Sequence, residues 1–219
     1  MKKTGFTLAE VLITLTIIGV VATMTLPALM TNVQEQQGKT GLKKGLNTLT
    51  EAAQMSQAVE GFDYASIKEA SAGDDGEETQ SVYGLLRART QVDLSKSQAG
   101  GSGVANSVDS TGTNFVVFFR DGSAVSFPSS ATPRSDFRTI QDDGLAMGFG
   151  AIYDINGEKK PNVLSNCKGD LSLTSTGEDN ASSNCSNRST RVIRDQFAIR
   201  LRGAYAQPNG AAARWAFEN

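Results

Sequence analysis

Gly5 to Met30 reads GFTLAEVLITLTIIGVVATMTLPALM, and between Lys3 and Glu35 the only ionisable side chain is Glu10. From Val11 to Met30, at about 1.5 Å rise per residue, a helix is roughly 30 Å long, the thickness of a bilayer's hydrocarbon core. The stretch can therefore cross a membrane once, and the rest of the chain is read as hanging from it. Lys2 and Lys3 stand just before it. Positive charge flanking a first apolar segment tends to stay cytoplasmic, so the expected topology is N-terminus inside with the bulk of the chain outside. A cleaved secretory signal also starts with basic residues and an apolar run, but it ends in a small-x-small site. Here the run ends in ATMTLPALM, with no clean A-x-A, and it is longer than an ordinary signal core.

Glu10 carries most of the information. An ionised acid at membrane depth costs on the order of 2.5 to 3.5 kcal/mol or more and is rare without a partner. Cutting the chain between Gly5 and Phe6 would create an α-ammonium four residues before Glu10, one helical turn away or on a neighbouring subunit. Pairing with another chain's amino terminus would then favour one stagger between helices. The plainer alternative puts Glu10 at headgroup level, hydrated.

Lys2-Lys3-Thr4-Gly5 followed by Phe6-Thr7-Leu8-Ala9-Glu10-Val11-Leu12-Ile13 closely resembles the class III leader and N-terminus of type IV prepilins and type II secretion pseudopilins. The resemblance implies that a membrane prepilin peptidase cuts after Gly5, that Phe6 is N-methylated, and that Glu10 guides subunits into a helical fibre. Gly19 and Pro27 fall where many members of that family have a glycine and a proline. Pro27 cannot donate to the Thr23 carbonyl, and Gly19 weakens a helix by roughly 1 kcal/mol relative to alanine. A helix break is thus expected between Gly19 and Pro27, with a tolerated kink as the alternative.

Downstream, Leu42, Leu46, Leu49 and Ala53, then Met55, Val59 and Phe62, recur at three- and four-residue steps, which predicts an amphipathic helix with one apolar stripe. Gly38, Gly41 and Gly45 make a hinge there possible. SVYGLLRARTQVDL is a short helix or strand, and Ser71 to Gln80 and Ser95 to Asn114 read as polar loops. NFVVFFRDGSAVSF places two apolar runs around Asp121-Gly122, the signature of a hairpin with a two-residue type I′ turn. Ala146 to Ile155 and Gln196 to Leu201 supply a third and a fourth strand. The fold class is α+β: a long N-terminal transmembrane and amphipathic helix packed on a small antiparallel sheet, as the pilin resemblance also implies.

Composition narrows the chemistry. The 219 residues contain no histidine, which removes Ser-His-Asp triads, Cys-His pairs and imidazole zinc sites. An enzyme is therefore not expected. The formal charge of −2, and the lack of a basic run in the soluble part, give a nucleic-acid site no electrostatic support. Cys167 and Cys185 stand in a polar segment on the expected outside, where a disulfide persists, and closing that loop would stabilise by about 3 kcal/mol. Asp154-Ile155-Asn156-Gly157 resembles the start of a calcium loop, with oxygens of Asp154 and Asn156 at alternating positions. No acid stands at the twelfth position, where Ser165 is found, and D-x-N-G is equally an ordinary Asx turn. Trp215 and Phe217 in the tail either pack on the domain edge or serve a subunit contact.

These readings give a leader at 1–5, a transmembrane and polymerisation helix at 6–30, its amphipathic continuation at 31–62, and an extracytoplasmic domain at 63–219 with a disulfide loop at 163–191. The expected role is a structural subunit of a type IV pilus or a secretion pseudopilus, held as a single-pass protein of the inner membrane. Its expected partners are other pilin or pseudopilin subunits, the prepilin peptidase, an inner-membrane assembly platform and membrane lipid. Alternatives are a minor, tip-located pilin acting as a binding module, and an uncleaved membrane anchor.

Overall fold

The computed structural model describes residues 7–67, 80–99, 114–128, 148–170 and 185–219. The leader, Phe6, most of both polar loops and the middle of the cysteine segment lie outside the described residues. Helix α1, Leu8–Val59, is followed by α2, Val82–Arg89. Six strands come next among the described residues: β1 (Gln98–Ala99), β2 (Asn114–Phe118), β3 (Ala124–Pro128), β4 (Gly148–Asp154), β5 (Gln196–Arg202) and β6 (Tyr205–Pro208). Helix α3, Ala211–Glu218, closes the chain. The strands form one antiparallel meander in chain order, so each is joined to its sheet neighbour. The arrangement is α+β and pilin-like. It adds the short edge strands β1 and β6 to the four strands expected. The chain divides into two compact units, Met1–Gln37 and Gly38–Asn219.

Within the second unit, alternation along each strand sorts residues between two faces. One face carries Val117, Val125, Tyr153 and Phe197, aligned across four neighbouring strands. It forms one core with Leu42, Leu46, Leu49 and Ala53 of α1. The buried stripe then continues through Ala52 and Ser56, whereas Met55 and Val59 are exposed. The 3.6-residue period carries the buried face past them. The opposite face is also covered: Ile152 packs with Leu164, and Ala124 with Val116 and Phe118. Burial on both faces explains why FVVFF is a continuous apolar run and not an alternating one.

Gly41 and Gly45 are points of close approach, not hinges. A Cβ at Gly41 would lie 2.6 Å from Ile155 Cγ2, and one at Gly45 would overlap the Tyr153 ring. The helix backbone can lie against β4 only because those side chains are missing.

The β2–β3 connection differs from the expected two-residue turn. Gly122 N–H donates to the Phe119 carbonyl at 3.0 Å, and Phe119 N–H donates to the Ser123 carbonyl at 2.9 Å, which closes a three-residue loop. Gly122 alone in it has positive φ, +91°. A type I turn followed by a left-handed glycine is the usual three-residue hairpin. Asp121 stabilises it: its Oδ1 accepts from Ser123 N–H and Oγ, and its Oδ2 accepts from Lys44 Nζ at 2.7 Å.

Candidate functional site

The residues with candidate roles fall into two groups. The first is the start of α1. Thr7 N–H and Thr7 Oγ1 donate to Glu10 Oε2 at 2.8 and 2.7 Å, and Glu10 N–H donates back to Thr7 Oγ1 at 3.3 Å. Val11 N–H donates to the Thr7 carbonyl at 3.2 Å, the first bond of the helix. This is a reciprocal capping box, with Thr7 as N-cap and Glu10 as the third helical residue. It gives Glu10 Oε2 two neutral donors from its own chain. T-x-x-E ahead of an apolar run is legible in the sequence.

Beyond the box the helix surface is apolar and uncovered, with Leu12, Leu15, Ile18, Val21 and Met30 all more than half exposed. Its threonines do not leave hydroxyls unsatisfied. Thr14, Thr16 and Thr23 donate to the carbonyls of Val11, Leu12 and Val20 at 2.8 to 2.9 Å. Back-bonding of this kind lets threonine lie in hydrocarbon at low cost. The helix runs without interruption through Gly19 and Pro27, so no break is present at either. One missing N–H in a helix of 52 residues is a local loss.

The second group lies in the Gly38–Asn219 unit. Cys167 and Cys185 form a disulfide with Cα atoms 5.1 Å apart, and both are buried. Arg191 Nη1 donates to the Cys185 carbonyl at 3.1 Å while its guanidinium lies over the Trp215 ring, 3.8 Å from the centroid. Lys39 Nζ lies over the same ring at 4.2 Å. Cation–π contact thus fastens α1, the disulfide segment and α3 together around the single tryptophan. Trp215 packs on its own domain, and Phe217 is 44% exposed.

Asp154 and Asn156 do not form an open oxygen cage. Asp154 Oδ1 accepts from Asn156 N–H and Gly157 N–H at 2.9 and 2.8 Å, and Oδ2 accepts from Gln196 Nε2, opposite it on β5, at 2.8 Å. Asp195 is occupied in the same way by Asn162 N–H and Val163 N–H, at 2.7 and 3.0 Å. Among the described residues no group of three or more His, Cys, Asp or Glu is placed to hold a metal. Burial pushes the Asp154 carboxyl up to about 7, against the pull of the Gln196 and Asn156 hydrogen bonds. Burial likewise pushes the Tyr153 phenol up to about 12. Strand register, which pairs Asp154 with Gln196, places both Gln196 and Asp195 beside the D-x-N-G loop.

A cleft of about 290 Å³ lies on α1 beside the β2–β3 loop, lined by Leu49, Ala52, Met55, Arg89, Phe119 and Tyr153 among others. Arg89 is ion-paired with Glu60.

Residues 1–26 match the prokaryotic N-terminal methylation motif. This supports a type IV prepilin or pseudopilin-like protein. The prepilin-like match covers the box, Glu10 and most of the apolar helix, and it implies pilin subunits and prepilin peptidase processing in general. It points to a structural subunit and, with the apolar helix, to a membrane-anchored single-pass chain. No curated protein matches the chain, and no solved structure does.

Proposed function

We propose that this chain is a prepilin whose Gly5–Phe6 bond is cut by a prepilin peptidase, whose Phe6 is then N-methylated, and whose N-terminal helix assembles it into a type IV pilus or a type II secretion pseudopilus. One observation carries the reading: the methylation motif sits on a long apolar helix that is uncovered in the single chain. Such a surface is stable in lipid or against other helices, and a fibre supplies the second when subunits leave the first. Lys2 and Lys3 orient the precursor with its N-terminus in the cytoplasm and its domain outside the inner membrane. The assembly platform and neighbouring subunits are its partners.

The D-x-N-G loop is a structural turn in this reading and takes no calcium. The three internal donors on Asp154 support that, because both carboxylate oxygens already serve the turn and the neighbouring strand.

The experiment is intact-mass and N-terminal analysis of the protein from membranes, with and without the prepilin peptidase. A chain beginning at Phe6 with one added methyl, found only when the peptidase is present, is the expected result. A chain still beginning at Met1, or cut beyond Met24, would end the fibre reading.

A further inference from the structure

The cleft between α1 and the β2–β3 loop combines an apolar floor with an unbalanced charge. Leu49, Ala52, Phe119 and Tyr153 line it and are all buried. At about 290 Å³ it stands near the lower end of the roughly 300 to 1,000 Å³ range of ligand clefts, with room for one side chain and not for a large cofactor. Among the described residues, three charged side chains line it. Arg89 is neutralised by Glu60, and Asp121 by Lys44 at 2.7 Å. Glu51 is exposed, and its carboxylate has neither a hydrogen bond nor an ion pair among the described residues.

The apolar surface does not end at the cleft. Glu51, Met55 and Val59 follow one another at four-residue steps, so they share a face of α1. Met55 lines the cleft, and Met55 and Val59 are 54% and 71% exposed. A methionine at a surface adapts to varied apolar partners. The group that complements this face carries a positive charge on an aliphatic stem with apolar surface beside it. Lysine and arginine meet that description, since their methylenes lie on apolar surface while the charged head stays at the rim. An anion does not, because Arg89 is already neutralised by Glu60 and Glu51 would repel it.

We propose that the cleft receives a lysine or arginine side chain of a partner protein, with its stem over Leu49, Ala52 and Met55, its charge on Glu51, and a neighbouring apolar residue against Val59. This role goes beyond assembly through the N-terminal helix and does not depend on cleavage at Gly5. A rim ion pair of this kind decides which partner is accepted more than how tightly it is held, and it weakens as salt rises.

The test titrates acetyl-Leu-Lys-amide into the full chain in phosphatidylcholine nanodiscs and follows the isotope-labelled methyl NMR signal of Met55, assigned by its loss in Met55→Leu. A saturable shift at Met55, with the Met24 and Met30 signals unmoved, is the expected result. Binding should weaken about five-fold when the lysine is Nε-acetylated or replaced by glutamate, the upper end for an exposed ion pair. Glu51→Gln, at an exposed position where substitution costs little stability, should bring the three peptides to within about two-fold of one another. Glu218→Gln, at an exposed acid outside the cleft lining, should keep the preference for lysine. No saturable shift, equal binding of the three peptides by the wild type, or a lysine preference that survives Glu51→Gln would each overturn the proposal. A Met55 shift that grows with protein concentration alone would assign the cleft to a second copy of this chain, and would overturn it too. Failure of the chain to be cut at Gly5 would end the fibre reading and leave this test unaffected.

Discussion

Leu15 and Leu49 are the same residue on the same helix, yet Leu15 is 60% exposed and Leu49 has no exposed surface. The difference marks two kinds of sequence within α1. Up to about Met30 the helix is apolar nearly all round and its large apolar side chains are mostly exposed, a surface suited to a membrane or to other helices. From Gly38 onward it is amphipathic, and its apolar stripe completes a core with the sheet. A helix that is apolar all round needs an outside partner, and one that is apolar along a stripe carries its partner downstream in the same chain.

The largest expected effect breaks that comparison directly. Leu49→Ala should lower the domain's unfolding free energy by about 2 to 5 kcal/mol, the range for emptying a packed leucine site. Leu15→Ala should leave it within about 0.5 kcal/mol, because Leu15 is 60% exposed and its truncation empties no packed site. Denaturant titration of the detergent-solubilised chain reads both, and equal losses would erase the distinction between the two stretches. Next is the Cys167–Cys185 bond, whose removal in the double serine variant should cost about 3 kcal/mol. Trp215 fluorescence should report the loosening, since Arg191 ties the ring to the Cys185 carbonyl. A variant as stable as the parent would mean that the cation–π clamp alone holds the segment.

A pH series sharpens the same contrast, because the domain buries a carboxyl. Burial raises Asp154 to about 7 in the folded chain, against about 3.9 when unfolded. Between those values the unfolded chain has released the proton and the native chain still holds it. Stability should therefore fall as pH rises from about 4 to about 7 and be flat above, with about 2 to 3 kcal/mol lost between pH 5 and pH 7.5. Asp154→Asn should flatten that profile while keeping the turn, because its amide oxygen can still accept from Asn156 and Gly157. Gln196 Oε1, a buried acceptor with no hydrogen bond, can receive the new N–H after an amide flip. A wild-type profile in that variant would assign the pH dependence elsewhere.

The smallest effect on the domain, none, is expected from Glu10→Gln. Glutamine serves in a capping box as glutamate does, so helix start and leader cleavage should persist. Only the charge is lost, and sheared-fibre yield should drop. Normal fibre yield would remove Glu10 from assembly.

Much of the fold was legible because its signals are local. The apolar run, the Asp121-Gly122 hairpin and the two further strands each follow from side-chain type and spacing within about 15 residues. The hairpin's loop length was not, since Asp121 is held by Lys44, 77 positions away. The roles of Gly41 and Gly45 were hidden for a similar reason: a glycine reads as flexible until Ile155 and Tyr153 are seen filling the space where a Cβ would be. The T-x-x-E box was present in the sequence and is as local as any signal.

Sequence alone determined that the chain starts with a membrane-length helix bearing one acid, that a processing motif precedes it, and that an antiparallel domain follows. Those properties depend on composition and on periods of two and 3.6 residues, which need no knowledge of distant contacts. Only the tertiary structure decided that Asp154 is closed off by Gln196 and by backbone N–H groups, that Trp215 is clamped between Lys39 and Arg191, and that both faces of the sheet are covered. Gln196 stands 42 positions from Asp154, and packing brings such distant groups to within a hydrogen bond or a van der Waals contact.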